Sequence, residues 1–430
     1  MKIVEMRVTP IAIGDPPLLN AAGLHAPYAL RTIVELVSDD RITGIGEIPG
    51  GSVTLGMLRD ARDVVIGHDP FQLNGIKQAL VNRFGDGGVS ALKDVRPWET
   101  ARINHVWSAI EVACFDLMGR AIERPVVDLL GGVVRERVPY SAYLFFKYEG
   151  AGGALGFGTD PTASGWAAAR QAAALDPDGI VAQARSMVDS YGFESIKLKN
   201  GILDPDLEVD SMLALRNAFG AHVPLRIDPN GAWTHATALR CGKRLQGTLE
   251  YYEDPVRGQD GMAALRREMG DMPFATNMCT TSYGDIPGSI AKHSEDIILT
   301  DHHFWGGLRA TLELNRVAAT FGRGLSMHSN SHVGISMAAM THLAAATPML
   351  TYACDTHYPW QSDELLVGGK VPIEGGCARV TREPGLGITL DPVALARLHQ
   401  QYLDCGLTDR DDAIEMRKKE PDWAFMPVRY

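Results

Sequence analysis

No stretch of this 430-residue sequence reaches the roughly 18 consecutive apolar residues that a membrane-spanning helix needs, so a membrane partner is not expected. No Cys-x-x-Cys pair occurs among Cys114, Cys241, Cys279, Cys354, Cys377 and Cys405, which argues against a zinc ribbon or a redox motif. Widely spaced thiols of this kind fit a cytosolic protein with reduced cysteines. The start of the chain, Met1–Val8, alternates like a strand and lacks the apolar core of a signal peptide, so a cytoplasmic location is expected. Positive charge is in deficit: 41 Lys and Arg stand against 52 Asp and Glu, a net charge of −11. That speaks against nucleic acid and against an anionic membrane surface. An acidic substrate would have to be attracted locally, by a metal or by a few placed cations. There is no Gly-x4-Gly-Lys-Ser/Thr motif and no convincing Gly-rich phosphate turn after a first strand, so a doubly wound nucleotide-binding sheet is disfavoured.

What is present is enough chain for two or three domains, or for one large barrel with an addition. Residues 1–137 read as α+β. Strand patterns at Ile3–Val8 and Thr32–Val37 precede a turn-rich stretch, Gly44–Gly51, and helical spacing is clearest over His105–Arg120. From Val138 the texture becomes strand, loop, helix. Tyr140–Phe146 is the first strand candidate. A Gly/Ala-rich segment, Gly150–Ala174, has the look of a loop or lid, and Ile180–Tyr191 reads as an amphipathic helix. Seven more strands are expected at Ile196–Lys199, Leu225–Asp228, Tyr251–Glu253, Phe274–Asn277, Ile297–Asp301, Leu325–His328 and Tyr352–Asp355. Their polar ends recur at intervals of roughly 24–29 residues, close to the about 30 residues of one βα unit in an eight-stranded barrel. After Gly385–Ile388 that pattern stops, and a helix over Pro392–Leu403 and a charged tail follow. The expected architecture is an α+β region over 1–137, a (β/α)8-type barrel over 138–388, and a segment 389–430 that packs back on the N-terminal region.

Catalytic groups of such barrels sit at the C-terminal ends of the strands, where the polar residues of this series fall. On the strand Ile196–Lys199, Lys197 and Lys199 project to one side and Leu198 to the other. Two neighbouring ammoniums cost energy unless an anion lies between them or one gives up its proton, and either outcome is useful chemistry. Taken alone, the pair could equally be a solvated edge strand. Asp228, Glu253 and Asn277 end three successive strands. Three oxygen donors with no Cys or paired His suit Mg²⁺ better than Zn²⁺. His328 ends a later strand and Asp301 the strand between, so a carboxylate can orient an imidazole. His302, His303 and His332 lie nearby in sequence, and the strand-end position favours His328 as the base.

With these residues in view, the chain resembles the enolase superfamily, and within it the glucarate dehydratase family. The matching stretches are Gly44–Gly51, Ile196–Gly201, Arg226–Trp233, Glu253–Pro255, Ala275–Met278, Asp301–Trp305, His328–His332, Cys354–His357 and Arg410–Ala413. The resemblance implies that the α+β region 1–137 is a capping domain over the barrel. It implies Mg²⁺ on Asp228, Glu253 and Asn277, with Lys199 as base on one face of the substrate and Lys197 as its electrostatic partner. It places the His328–Asp301 dyad on the other face. It also implies substrate contacts from His25, Tyr143, Asn230, Ser329, His357 and Arg410. The implied activity is dehydration of D-glucarate, and of its C5 epimer L-idarate, to 5-dehydro-4-deoxy-D-glucarate. A racemase, epimerase or cycloisomerase on the same scaffold, a dehydratase for another aldarate, and a non-catalytic relative are the rival expectations. The expected partners are a small dicarboxylate sugar acid and further copies of the chain, as a homo-oligomer. Two stretches depart from the family pattern: Gly150–Ala174, and Gly306-Gly307 where larger residues are common.

Overall fold

A computed structural model describes residues 1–86, 102–153 and 155–430. The expected range 1–137 therefore includes a stretch, 87–101, outside the described residues, as is Ala154 within the Gly150–Ala174 segment.

The N-terminal part is a capping domain built on a three-stranded antiparallel sheet. Ile3–Gly14 pairs with Tyr28–Ser38, which pairs with Thr43–Pro49. The helix Arg102–Ala121 packs across that sheet. The stretch Gly44–Gly51 is not turn throughout: Gly44 and Gly46 lie inside the strand Thr43–Pro49, and only Gly50 and Gly51 lie beyond it. A Cβ at Gly44 would meet the Ala113 carbonyl oxygen at 2.1 Å, and one at Gly46 the Ala109 oxygen at 2.1 Å. The glycines let helix backbone approach strand backbone, the alternative meaning of glycine in a strand.

Eight parallel strands then form a nearly closed barrel. Its order runs Gly324–Met327, Ile297–Thr300, Phe274–Thr276, Tyr251–Glu253, Leu225–Asp228, Ile196–Lys199, Arg137–Phe145, Cys354–Thr356. Short Cys377–Arg379 adds antiparallel to the outer part of Arg137–Phe145. The seam between Gly324–Met327 and Cys354–Thr356 is bridged by a Leu325–Leu350 pairing and by the Ser326 hydroxyl, which donates to the Ala353 carbonyl at 3.0 Å. All eight barrel strands are present, with ends within three residues of those read from sequence. Asn277, Asp301 and His328 fall one residue beyond their strands rather than on them.

The helices between the strands are capped in ways the sequence dictates. Pro177–Tyr191 starts after Asp176, whose carboxylate accepts from the Gly179 N–H, and stops at left-handed Gly192. The C-terminal helix Pro392–Cys405 lies on the first cap strand: the His399 ring meets the Pro10 carbonyl at 2.7 Å, and Gln401 donates to that of Ala12 at 2.8 Å. The chain end goes elsewhere, because the Arg429 N–H donates to the Ala232 carbonyl at 2.7 Å, in the loop after the Asp228 strand. All six cysteines are unpaired. Among the described residues, no helix is long and apolar enough to cross a membrane.

Candidate active site

The strand Ile196–Lys199 is buried at every position, which excludes a solvated edge. Lys197 Nζ donates to Glu253 at 2.7 Å and to Asp355 Oδ2 at 2.6 Å. Asp228 Oδ2 lies 2.5 Å from Lys199 Nζ and 3.5 Å from Lys197 Nζ, so one carboxylate oxygen sits between the two ammoniums. Burial opposes charge on Lys197, but Asp355 and Glu253 outweigh it and hold the amine well above its usual range. Glu253 is nonetheless pushed up, first by burial and then by Asp228 beside it. The two partners thus shift in ways one simple ion pair would not produce. We read this as surplus negative charge: Asp228, Glu253 and Asp355 crowd two lysines.

That surplus is one test of whether these residues fit a divalent cation. Oxygens of Asp228, Glu253 and Asp254 lie within 4.8 Å of one another. Asn277 Oδ1 is buried with no hydrogen-bond partner, an orphan acceptor of the kind a cation satisfies. An all-oxygen set of this charge suits Mg²⁺. Asp254 is the member that the sequence reading did not pick out, although it stands in Glu253-Asp254-Pro255. Its carboxylate accepts from the Thr276 hydroxyl and, at 2.8 Å, from the Asn277 N–H, which ties down the segment bearing Asn277. Its φ of 37° is in the left-handed region, the strain of turning a carboxylate back toward the strand end.

Across the mouth, His328 Nδ1 lies 3.0 Å from Asp301 Oδ2. Burial alone would raise the Asp301 carboxyl, but the imidazoles of His303 and His328 hold it well below the usual range. Phe304 stacks on the His328 ring at 5.7 Å between centroids. The other nearby histidines are set apart by position. His302 and His332 are buried, line no part of the cavity, and are kept neutral by desolvation, His332 down to about 4.

Cap and barrel enclose a cavity of about 320 Å³. Lys199, Asn277 and His328 line it, as do His25, Tyr143, Asn230, Ser329, His357 and Arg410, so it gathers every residue expected to touch substrate. Lys197, Asp301, Asp228 and Glu253 are buried and do not line it. His25 donates from Nδ1 to Asp15 at 2.8 Å, since its Nε2 faces an Arg410 N–H at 2.9 Å and arginine can only donate. Asn230 is in the left-handed region with φ 56°, and its N–H donates to Asp228 Oδ1 at 3.0 Å. Sequence reasoning missed Tyr28, Arg31, His105 and Asn330, which also line the cavity. Arg31 stands one residue before the strand pattern at Thr32–Val37, and Asn330 inside His328–His332, but nothing in their spacing aims them inward.

The two departures acquire structural reasons. Gly307 has φ 105°, and a Cβ there would lie 1.9 Å from Oε2 of buried Glu111, so the position needs glycine. The segment Gly150–Ala174 is no bare loop: it carries the helix Gly165–Gln171, and the Trp166 indole donates to the Pro359 carbonyl at 2.8 Å. It reaches the cavity wall through the Leu155 N–H, which donates to the Tyr28 hydroxyl.

A nearly closed barrel under an antiparallel cap, with acid residues, a lysine pair and a histidine at its mouth, defines the class. The chain belongs to the enolase superfamily. Residues 179–394 match the family described as enolase C-terminal domain-like, and residues 20–131 the mandelate racemase / muconate lactonizing enzyme N-terminal domain. Among individual proteins, it is 44% identical to a probable glucarate dehydratase of Streptomyces coelicolor, over 100% of this chain and 98% of that one. Two solved structures are similar along the whole chain. An enolase from Pseudomonas fluorescens with bound magnesium, potassium and tartrate is 47% identical, with TM-score 0.92, covering 100% of this chain and 99% of that one. An enolase from Thermobispora bispora complexed with magnesium and formate is 46% identical, also with TM-score 0.92, covering 100% of both chains.

Proposed function

We propose that this protein is a Mg²⁺-dependent hydro-lyase that dehydrates an acid sugar, D-glucarate and its C5 epimer L-idarate, to 5-dehydro-4-deoxy-D-glucarate. The observation that carries this reading is one cavity lined by Lys199, His328 and Asn277, with the buried Asn277 Oδ1 left without a hydrogen-bond partner. The name of the Streptomyces relative and the tartrate held by the Pseudomonas protein support an acidic polyol as substrate. In this proposal residues 1–137 act as the cap, joined by the helix Pro392–Cys405 and by Arg410, and residues 138–388 act as the catalytic barrel, on which the chain end lies.

Asp228, Glu253 and Asn277 would hold the cation, with Asp254 bracing Asn277. When bound, Mg²⁺ supplies positive charge where the substrate carboxylate becomes a dianionic enediolate. Lys197 adds an ammonium that Asp355 keeps in place. Lys199 and His328 each face one side of the carbon next to that carboxylate. His328 takes the proton from one epimer; the C–H electron pair moves into the enediolate. The enediolate then collapses, the C–O bond at the β position breaks, and the His328 imidazolium returns its proton to the departing hydroxyl as water. Lys199 serves the other epimer. His25 and Arg410, from the cap and the tail, would hold the far carboxylate, with Tyr143, Asn230, Ser329 and His357 around the rest.

A second reading, epimerisation without loss of water, is favoured by Lys199 and His328, the two proposed bases, lining one cavity. Incubation with a panel of aldarates and a ketone assay separates the two. A 2-keto-3-deoxy product supports dehydration. Epimers without ketone would replace the reading by the second one, and silence on all substrates would favour a non-catalytic relative.

A further inference from the structure

Behind the dyad, a buried polar chain runs from the cap into the barrel. It starts at Glu47, whose carboxylate accepts from Arg31 Nε at 2.7 Å and from the N–H groups of Val333 and Ser336 at 3.0 and 2.8 Å. Arg31 and Glu47 are diagonal neighbours on paired cap strands, since Arg31 opposes Pro49 and Ile33 opposes Glu47. Arg31 Nη2 reaches Ser336 Oγ at 3.4 Å and His303 Nε2 at 3.5 Å. Ser336 Oγ lies 3.0 Å from the same His303 Nε2. On the far side of the ring, His303 Nδ1 lies 3.0 Å from Asp301 Oδ1. The other oxygen of Asp301 faces His328.

The proton positions follow from what each group can do. Arginine has no acceptor, so where the Arg31 N–H reaches His303 Nε2 that nitrogen presents its lone pair, to which the Ser336 hydroxyl also donates. The ring proton is then on Nδ1, beside the Asp301 carboxylate. That N–H is off the line to Oδ1, which also accepts the better aligned His303 backbone N–H at 2.8 Å. In this arrangement the His303 ring is wedged between a cation and the dyad's anion. Arg31, Glu47, Ser336 and Asp301 are each at most 3% exposed, although Arg31 also lines the cavity.

We propose that His303 is a positioning residue. Braced by Arg31 of the cap, it fixes Asp301 so that one oxygen stays on His328, and it thereby makes the His328 base depend on the seating of the cap. This rests on the dehydratase reading for its kinetic consequence, but not for its structural one. Nothing in the chain places His303 on the substrate, because it does not line the cavity.

The test compares His303→Leu, His303→Asn and Arg31→Lys with the parent protein. Asparagine offers an N–H where Nδ1 stood; leucine offers none. Ring-nitrogen NMR on the ¹⁵N-histidine-labelled Mg²⁺-free protein reports the tautomers of His303 and His328 directly. The parent should show His303 protonated at Nδ1. His303→Leu should move the His328 ring-nitrogen signals, and His303→Asn should move them less. Arg31→Lys keeps a charge for Glu47 but cannot span to Ser336 and the ring, and should move the His303 Nε2 signal. In D₂O with D-glucarate and L-idarate, His303→Leu should lower dehydration and His328-face exchange by roughly 10- to 100-fold, with Lys199-face exchange within about threefold of the parent. His303→Asn should restore most of the loss. Unchanged His328 signals in His303→Leu, or equal loss on both faces, would overturn the proposal. If the parent turns over neither acid, the dehydratase reading falls, and the NMR arm alone decides the role of His303.

Discussion

Lys199 Nζ lies 2.5 Å from Asp228 Oδ2, so the amine assigned as a base is paired with a carboxylate assigned to the cation. The same oxygen cannot serve both fully. In the proposed function, a divalent cation on Asp228 would weaken the hold on Lys199, which lines the cavity. Cation loading and the availability of the base would then be linked.

It follows that EDTA should abolish turnover and added Mg²⁺ restore it. Asp228→Asn should lose both metal affinity, read by calorimetric titration of Mg²⁺, and activity. Full turnover by metal-free protein would remove the assignment of Asp228, Glu253 and Asn277.

In the proposed function Arg410 meets the substrate from outside the barrel. It lines the cavity and is paired in this structure with Asp412, Nε to Oδ1 at 2.6 Å. Arg410→Ala should raise KM more than it lowers kcat. The expected size is about 1.5–3 kcal/mol in kcat/KM, the range for a charged hydrogen bond to a carboxylate. An unchanged KM would place Arg410 off the substrate.

The cap–helix contact tolerates no side chain at Gly46. Gly46→Ala puts a methyl 2.1 Å from the Ala109 carbonyl oxygen, a clash with backbone that cannot swing away. We expect a loss of about 1–3 kcal/mol or more in chemical denaturation. A neutral result would mean that the helix Arg102–Ala121 can lift from the sheet at little cost.

Glu111 gives a pH signature. Burial pushes its carboxyl from 4.5 up to about 7, against the pull of the Arg309 N–H and side chain. The folded state therefore binds the proton more tightly than the unfolded chain does. Its contribution is fully present below about 4.5 and is lost as pH rises to about 7, with a slope of at most about 1.4 kcal/mol per unit. Glu111→Gln should flatten that part of the stability curve, so the variant gains on the parent between pH 5 and pH 8. Parallel curves for the two proteins would contradict a protonated Glu111.

The barrel was legible because its signal is repeated. Eight short apolar segments with polar ends recur at a regular interval, and each unit checks the others. The paired lysines and the oxygen donors were legible for the same reason, since strand ends share one rim. Gly44 and Gly46 read as part of a turn-rich stretch because glycine marks both turns and close backbone approach, and only the helix packed on them distinguishes the two. The contacts of Asp254, Arg31 and His303 were not legible for a further reason. Their roles depend on which neighbour a side chain meets across the cap–barrel boundary or around a strained turn, and no local spacing encodes that. Gly307, within one of the two departures from the family pattern, answers to Glu111 on the helix Arg102–Ala121, which the sequence does not place beside it.

The central claim is that Lys199 and His328 serve opposite faces of one carbon, with His328 also the acid for the leaving hydroxyl. His328→Asn, assayed in D₂O with Mg²⁺ on D-glucarate and L-idarate, tests it most directly. The variant should form no ketone product yet still exchange the α-proton of the one epimer handled by Lys199, while Lys199→Ala should lose that exchange and keep the other. Dehydration by His328→Asn at the parent rate would contradict the account.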